Sequence, residues 1–277
     1  MLKIDSHQHF WKFDAVRDSW IDENMSVIKH DFMPEDFQPL LQEYGFDGCI
    51  TVQSDQSEAE NVFQLANADH HDFIKGVVGW VDLQRADIEE RLSDYKKFNK
   101  LKGFRHILQG ERERDFMLRP AFLNGVKLLN KFDFSYDILI FPDQLAYISN
   151  FVAQFPEQRF VIDHLAKPNI KIDDFHDWEK GLKHVAQFEN VVCKVSGMVT
   201  EADWKNWKQN DFTKYLDVAV EAFGMERLLY GSDWPVCTLA ADYGLVYQIV
   251  KKYFSDFSEC EQQLFWGGNA QKLYRIT

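Results

Sequence analysis

The sequence predicts an α/β fold, a (β/α)8 TIM barrel forming a single domain over residues 1–277, from three observations. Short strand-like runs rich in Val, Ile, Leu and Phe recur eight times. Most are followed by a stretch whose apolar residues fall at helical spacing, and no Pro-, Gly- or Ser-rich linker divides the chain.

The strand runs are Leu2 to Phe10, Gly48 to Ser54, Ile74 to Val81, Lys102 to Leu108, Ser135 to Phe141, Arg159 to His164, Val191 to Ser196 and Arg227 to Asp233. Between them, Phe37, Leu40, Leu41 and Tyr44 sit at i, i+3, i+4 and i+7, with Pro34 near the helix start. Leu145, Ile148, Val152 and Phe155 form a second stripe, and Tyr243, Val246, Ile249 and Tyr253 a third. Strands apolar on both faces alternating with one-faced helices imply a parallel sheet with right-handed crossovers. An open doubly wound sheet is the alternative, but it would place a Gly-rich phosphate turn after the first strand, where His-Gln-His-Phe-Trp stands. The irregular, aromatic stretch from Trp11 to Met33 reads as a long loop covering a pocket, and a similar loop begins at Glu201-Ala202-Asp203-Trp204.

A formal charge of −13 repels phosphates and anionic lipid surfaces, so neither nucleic acid nor membrane is an expected partner. Cys49, Cys193, Cys237 and Cys260 lie far apart with no CxxC pair, which fits free thiols in a reducing compartment. With no apolar run of membrane-spanning length and no leader pattern at the start, the expectation is a cytoplasmic enzyme. A homo-oligomer is left open.

Residues two apart in a strand share a face, so His7 and His9 point the same way at the C-terminal end of the first strand, where barrel active sites lie. Two adjacent imidazoles ligate zinc or, without metal, polarise a carbonyl oxygen; otherwise backbone carbonyls satisfy them. Asp233 ends the last strand, which neighbours the first in a closed barrel, and is a candidate base for water, a metal ligand, or a helix cap. His164 ends the sixth run and shares a face with Ile162, while Asp163 points the other way and is assigned a structural role. Arg105 and His106 offer positive charge and donors at the end of the fourth run, and their alternation places one of the two in the pocket. Lys167 and Lys194 are further cations, either in the pocket or on the surface. Trp11 and Trp234, with Phe10, Trp204 and Trp207, are candidates for an apolar pocket wall or for the core.

Taken in order, Asp5-Ser6-His7-Gln8-His9-Phe10-Trp11, Gly103-Phe104-Arg105-His106, Asp163-His164-Leu165-Ala166-Lys167-Pro168, Cys193 to Trp204 and Tyr230-Gly231-Ser232-Asp233-Trp234-Pro235 resemble the amidohydrolase superfamily, in its sugar-lactonase branch. The resemblance covers nearly the whole chain. It implies hydrolysis of an aldono-lactone, with Asp233 as the base that activates water. It also implies that His7, His9 and His164 polarise the carbonyl or hold an ion, and that Arg105, His106 and Lys167 orient substrate; Trp11 and Trp234, as candidate pocket wall, are expected to contact substrate beside them. The fourth strand has no Lys to bridge two metals and the fifth has no His, which argues against a binuclear site. The expectation is therefore no required cofactor, or one zinc held by His7, His9 and Asp233. A metal-dependent decarboxylase of an aromatic or unsaturated acid on the same barrel is the alternative function, and a barrel that only binds a sugar acid is a third.

Overall fold

The computed structural model describes residues 1–276. All eight expected strands form: β1 (Ile4–Gln8), β2 (Gly48–Val52), β3 (Ile74–Gly79), β4 (Leu101–His106), β5 (Ser135–Ile138), β6 (Phe160–Ile162), β7 (Val191–Val195) and β8 (Leu228–Tyr230). They pair in parallel in the order of the chain. The barrel closes just past β8, where the His9 N–H donates to the Trp234 carbonyl (2.7 Å) and the Asp233 N–H to the His7 carbonyl (2.8 Å). Helices α1 (Pro34–Glu43), α2 (Glu58–His70), α3 (Ile88–Tyr95), α4 (Pro120–Lys131), α5 (Leu145–Val152), α6 (His176–Val185), α7 (Thr213–Phe223) and α8 (Tyr243–Tyr253) follow the strands in turn, giving the expected (β/α)8 barrel.

Strand alternation separates two apolar layers. Outward residues such as Cys49, Phe104, Tyr136, Ile162 and Tyr230 join the helix stripes in one continuous core. Phe37 and Leu41 of α1 are almost fully buried there, and each such side chain contributes roughly 1.5–3 kcal/mol. Inward residues Ile4, Ile50, Val52, Val78, Val161 and Leu229 fill the lower barrel. Two last helices, α9 (Glu259–Gln263) and α10 (Asn269–Tyr274), follow, and α10 closes the floor with Leu273 and Tyr274. Among the described residues no helix is long and apolar enough to cross a membrane.

Several strands stop earlier than their apolar runs. The run expected to reach His164 ends at Ile162, and the one expected to reach Asp233 ends at Tyr230. At both places the backbone enters the left-handed region, with φ +53° at His164 and +59° at Asp233. A residue in that region cannot continue a strand, and it re-aims its side chain.

Candidate active site

The first site residues are set by a register shift in β1 between Asp5 and Gln8. Asp5 is turned outward, where its carboxylate accepts from the Ser232 N–H (3.0 Å) and the Tyr243 hydroxyl (3.2 Å). Burial pushes this carboxyl up to about 6 against those hydrogen bonds. His7 and His9 both face inward, as their spacing predicts, with their Nε2 atoms 3.2 Å apart. Glycine is required opposite them at Gly231, because a Cβ there would come within 2.6 Å of the His7 Cβ.

His164 reaches the same point by a different route. Val161 and Asp163 occupy the inward face of β6 and its extension, and Ile162 the outward one. Four consecutive residues, His164 to Lys167, then take left-handed φ values between +52° and +57°. That turn swings the His164 ring inward beside Asp163, 4.3 Å from the His7 ring centroid. Gly197 makes room for it, since a Cβ there would lie 2.6 Å from His164 Nδ1. The expectation that Asp163 points away is thus corrected: alternation puts it inside, and His164 enters by breaking alternation.

The three imidazoles converge on one oxygen. Asp233 Oδ1 lies 3.4 Å from His9 Nε2, 3.8 Å from His164 Nε2 and 3.9 Å from His7 Nε2. Burial alone would raise the Asp233 carboxyl, but His164, His9 and Lys167 outweigh it and hold the group below the ordinary value, so it is ionised at neutral pH. Burial also keeps His7 and His164 well below the usual imidazole value, hence neutral. Each ring is anchored at its other nitrogen: His9 Nδ1 donates to the Val52 carbonyl (2.8 Å), and His164 Nδ1 pairs with Ser196 Oγ (2.9 Å). His7 Nδ1 lies 3.2 Å from Lys194 Nζ and 3.3 Å from Asp163 Oδ1.

Beneath the imidazoles sits a wholly buried layer of charge. Lys194 donates to Asp137 Oδ2 (2.5 Å) and lies 3.1 Å from Asp163 Oδ1, while Arg105 donates to Asp163 Oδ2 (3.1 Å) and to the Gln53 carbonyl (2.5 Å). The Tyr274 hydroxyl donates to Asp137 from the floor (3.0 Å). Burial raises both carboxyls. Against it, the Lys194, His7 and Arg105 contacts drive Asp163 well below its usual value, whereas Asp137, repelled by Asp163, stays near 6. Two acids and two bases balance, as buried charge requires. Lys194 is thereby placed inside the barrel.

Above the imidazoles opens a cavity of about 310 Å³. His9, His164, Asp233, Arg105 and Lys167 supply its polar floor and side. Trp11, Trp20, Ile107, Leu139 and Val236 make an apolar wall, with Ser54 and Gln109 on the rim. Lys167 is paired with Glu201 (3.0 Å), the first residue of the expected covering loop after β7. Trp11 lines the cavity and donates to the His30 carbonyl (2.9 Å), and Trp20 meets it edge to face, so the aromatic loop after β1 does cover the pocket.

Two expected contact residues lie elsewhere. His106 faces outward because Arg105 takes the inward position of β4; it pairs with Glu111 (2.7 Å) and stacks on Phe116. Trp234 packs away from the cavity, between β8 and α1, against Phe37, Phe32 and Phe10. Gln109, Ser54 and Trp20 were not singled out by sequence. The signal available for Gln109 was its position as a polar residue just past an expected strand end, where barrel sites gather.

His7, His164 and Asp233 offer ligand atoms within 4.8 Å of one another. The expected set of His7, His9 and Asp233 is equally close, with His9 Nε2 3.2 Å from His7 Nε2 and 3.4 Å from Asp233 Oδ1, and the left-handed turn after β6 adds His164 to it. Neutral imidazoles whose second nitrogens are tied, together with one carboxylate, are a donor set that suits zinc.

A closed barrel with a histidine pair on its first strand, a histidine after the sixth and an aspartate after the eighth defines a hydrolase class, and the chain belongs to it: the family model described as Amidohydrolase matches residues 4–276. More particular relatives are two proteins named L-fucono-1,5-lactonase. The one from Burkholderia multivorans is 38% identical over 99% of this chain and 96% of its own length. The one from Burkholderia ambifaria is 32% identical over 99% of this chain and 96% of its own length. The crystal structure of an amidohydrolase from Burkholderia multivorans with bound zinc superposes over 100% of both chains with a TM-score of 0.97 at 38% identity.

Proposed function

We propose that the protein hydrolyses the lactone of a sugar acid, an aldono-lactone such as L-fuconolactone or L-rhamnonolactone, with Asp233 as the base. The observation that carries this reading is an ionised carboxylate ringed by three imidazoles at the base of a cavity of about 310 Å³, ample for a single sugar ring. The full-length likeness to proteins named for lactone hydrolysis supports it.

Water between Asp233 and the lactone carbonyl attacks carbon as Asp233 takes its proton. The carbonyl oxygen becomes an oxyanion, and an imidazole N–H from His164, which lines the cavity, stabilises it. Collapse breaks the bond to the ring oxygen, which leaves as a hydroxyl with the proton that Asp233 returns. His9, anchored through Nδ1 on the Val52 carbonyl, is fixed beside Asp233 at 3.4 Å. Zinc on His7, His164 and Asp233 would supply Lewis-acid polarisation of the same carbonyl.

The cavity's charge separates this reading from a decarboxylase. Both cations lining it are already paired, Arg105 with Asp163 and Lys167 with Glu201, so no free cation faces a substrate carboxylate. A neutral lactone fits such a site better than an anionic acid. Its carboxylate product is repelled by Asp233, which favours release.

The test is acid release from a panel of freshly prepared aldono-lactones, with and without chelator. Turnover above the spontaneous rate for at least one lactone is expected. Failure on every lactone refutes the proposal.

A further inference from the structure

His7 is bounded by two mutually exclusive sets of partners. An imidazole with one ring proton donates at one nitrogen and accepts at the other, whereas an ammonium only donates and a carboxylate only accepts. In the first set, Lys194 donates to Nδ1 (3.2 Å), so the ring proton sits on Nε2 and points at His9 Nε2 (3.2 Å). His9 is ready to accept there, because its proton is fixed on Nδ1 by the Val52 carbonyl. In the second set the proton sits on Nδ1 facing Asp163 Oδ1 (3.3 Å), and Arg105 approaches the bare Nε2 (3.4 Å).

The two competitors for Nδ1 stand side by side, with Lys194 Nζ 3.1 Å from Asp163 Oδ1 and each within 3.3 Å of the ring nitrogen. Lys194 is held in place from below by Asp137, which the Tyr274 hydroxyl also contacts.

We propose that Lys194 and Asp163 together select the tautomer of His7, with Lys194 as a positioning residue that sends the ring proton to Nε2, toward His9, and Asp163 as the acceptor that draws it to Nδ1 and leaves a lone pair at Nε2. The ring carries one proton in both arrangements; only its place differs. With the proton on Nε2, His7 is a hydrogen-bond donor to His9, the imidazole that lines the cavity beside Asp233. With it on Nδ1, His7 is an electron-pair donor toward a cation. One ring thus has two roles, and the switch lies in the layer beneath it.

Nitrogen-15 NMR of histidine-labelled, full-length protein reads the tautomer without reference to turnover, so the result stands apart from the lactonase reading. Metal-free wild type is expected to show His7 protonated on Nε2, and zinc-loaded protein on Nδ1. Lys194→Met combined with Asp137→Asn removes one charge of each sign and keeps the layer balanced. That double variant is expected to show Nδ1 protonation without metal and to bind zinc more tightly than Asp137→Asn alone. A His7 proton on Nδ1 in metal-free wild type overturns the proposal, and that measurement needs no variant to fold. So does an unchanged His7 signature in the double variant.

Discussion

Asp233→Asn is the sharpest perturbation because the structure isolates the lost charge from everything else. Asn is nearly isosteric with Asp and tolerates the φ of +59° found at this position. The two backbone hydrogen bonds, Asp233 N–H to His7 and Cys237 N–H to Asp233 (both 2.8 Å), do not involve the side chain. What disappears is the proton acceptor at the focus of three imidazoles, 3.4 to 3.9 Å away. A positioned base contributes about 10²- to 10⁴-fold, roughly 3–5 kcal/mol in the barrier at about 1.4 kcal/mol per decade. Turnover should therefore fall by about that factor, with KM within severalfold and thermal unfolding nearly unchanged. A pH-indicator assay on the best lactone, beside circular dichroism, measures both. Turnover within about threefold of wild type in a folded variant would show that the base lies elsewhere.

Three other outcomes follow from the same geometry. His106→Gln should leave kcat and KM within about threefold, because the ring faces Glu111 and Phe116 outside the cavity; a larger rise in KM restores it as a contact residue. Gln109→Leu should raise KM for lactones bearing a ring hydroxyl more than for a deoxygenated analogue, since Gln109 brings a side-chain amide to the cavity lining. Equal effects on both substrates would contradict this. Burial pushes the Asp133 carboxyl up, but Arg159, Arg275 and Lys96 outweigh it and depress the folded value. Its stabilisation is therefore present above the unfolded value of about 3.9 and lost as pH falls through the folded one. Asp133→Asn should lower the urea midpoint at pH 7 and converge with wild type near pH 2; a constant difference across that range refutes the link.

The periodic parts of this fold were legible in the sequence because they are local. The eight apolar runs and the stripes of α1, α5 and α8 each declare a buried face within a dozen residues. His7 and His9 were legible for the same reason, since period two holds even across the register shift of β1. Where the site departs from periodicity, sequence reasoning misplaced residues. Asp163 was read as outward because the face of β6 was anchored on His164, whose entry depends on a left-handed turn that no spacing reveals. Lys194 was left between pocket and surface because its partners, Asp137 and Asp163, lie 57 and 31 positions away. Trp234 was drawn toward the cavity by its neighbour Asp233, but the stack on Phe37 that buries it belongs to a helix nearly two hundred residues earlier.

The floor of the barrel has a consequence for how the protein is made. Asp137 meets Tyr274 across 137 residues of chain and Lys194 across 57. A carboxylate without its partners stays hydrated, so the lower barrel cannot dry out while those residues are still inside the ribosome. The histidine pair is made well before α10, yet the scaffold that orients it waits for α10. Assembly of the catalytic face is thus held back until α10 is free of the ribosome, and a nascent chain halted before α10 should expose its early histidines without the geometry that gives them use.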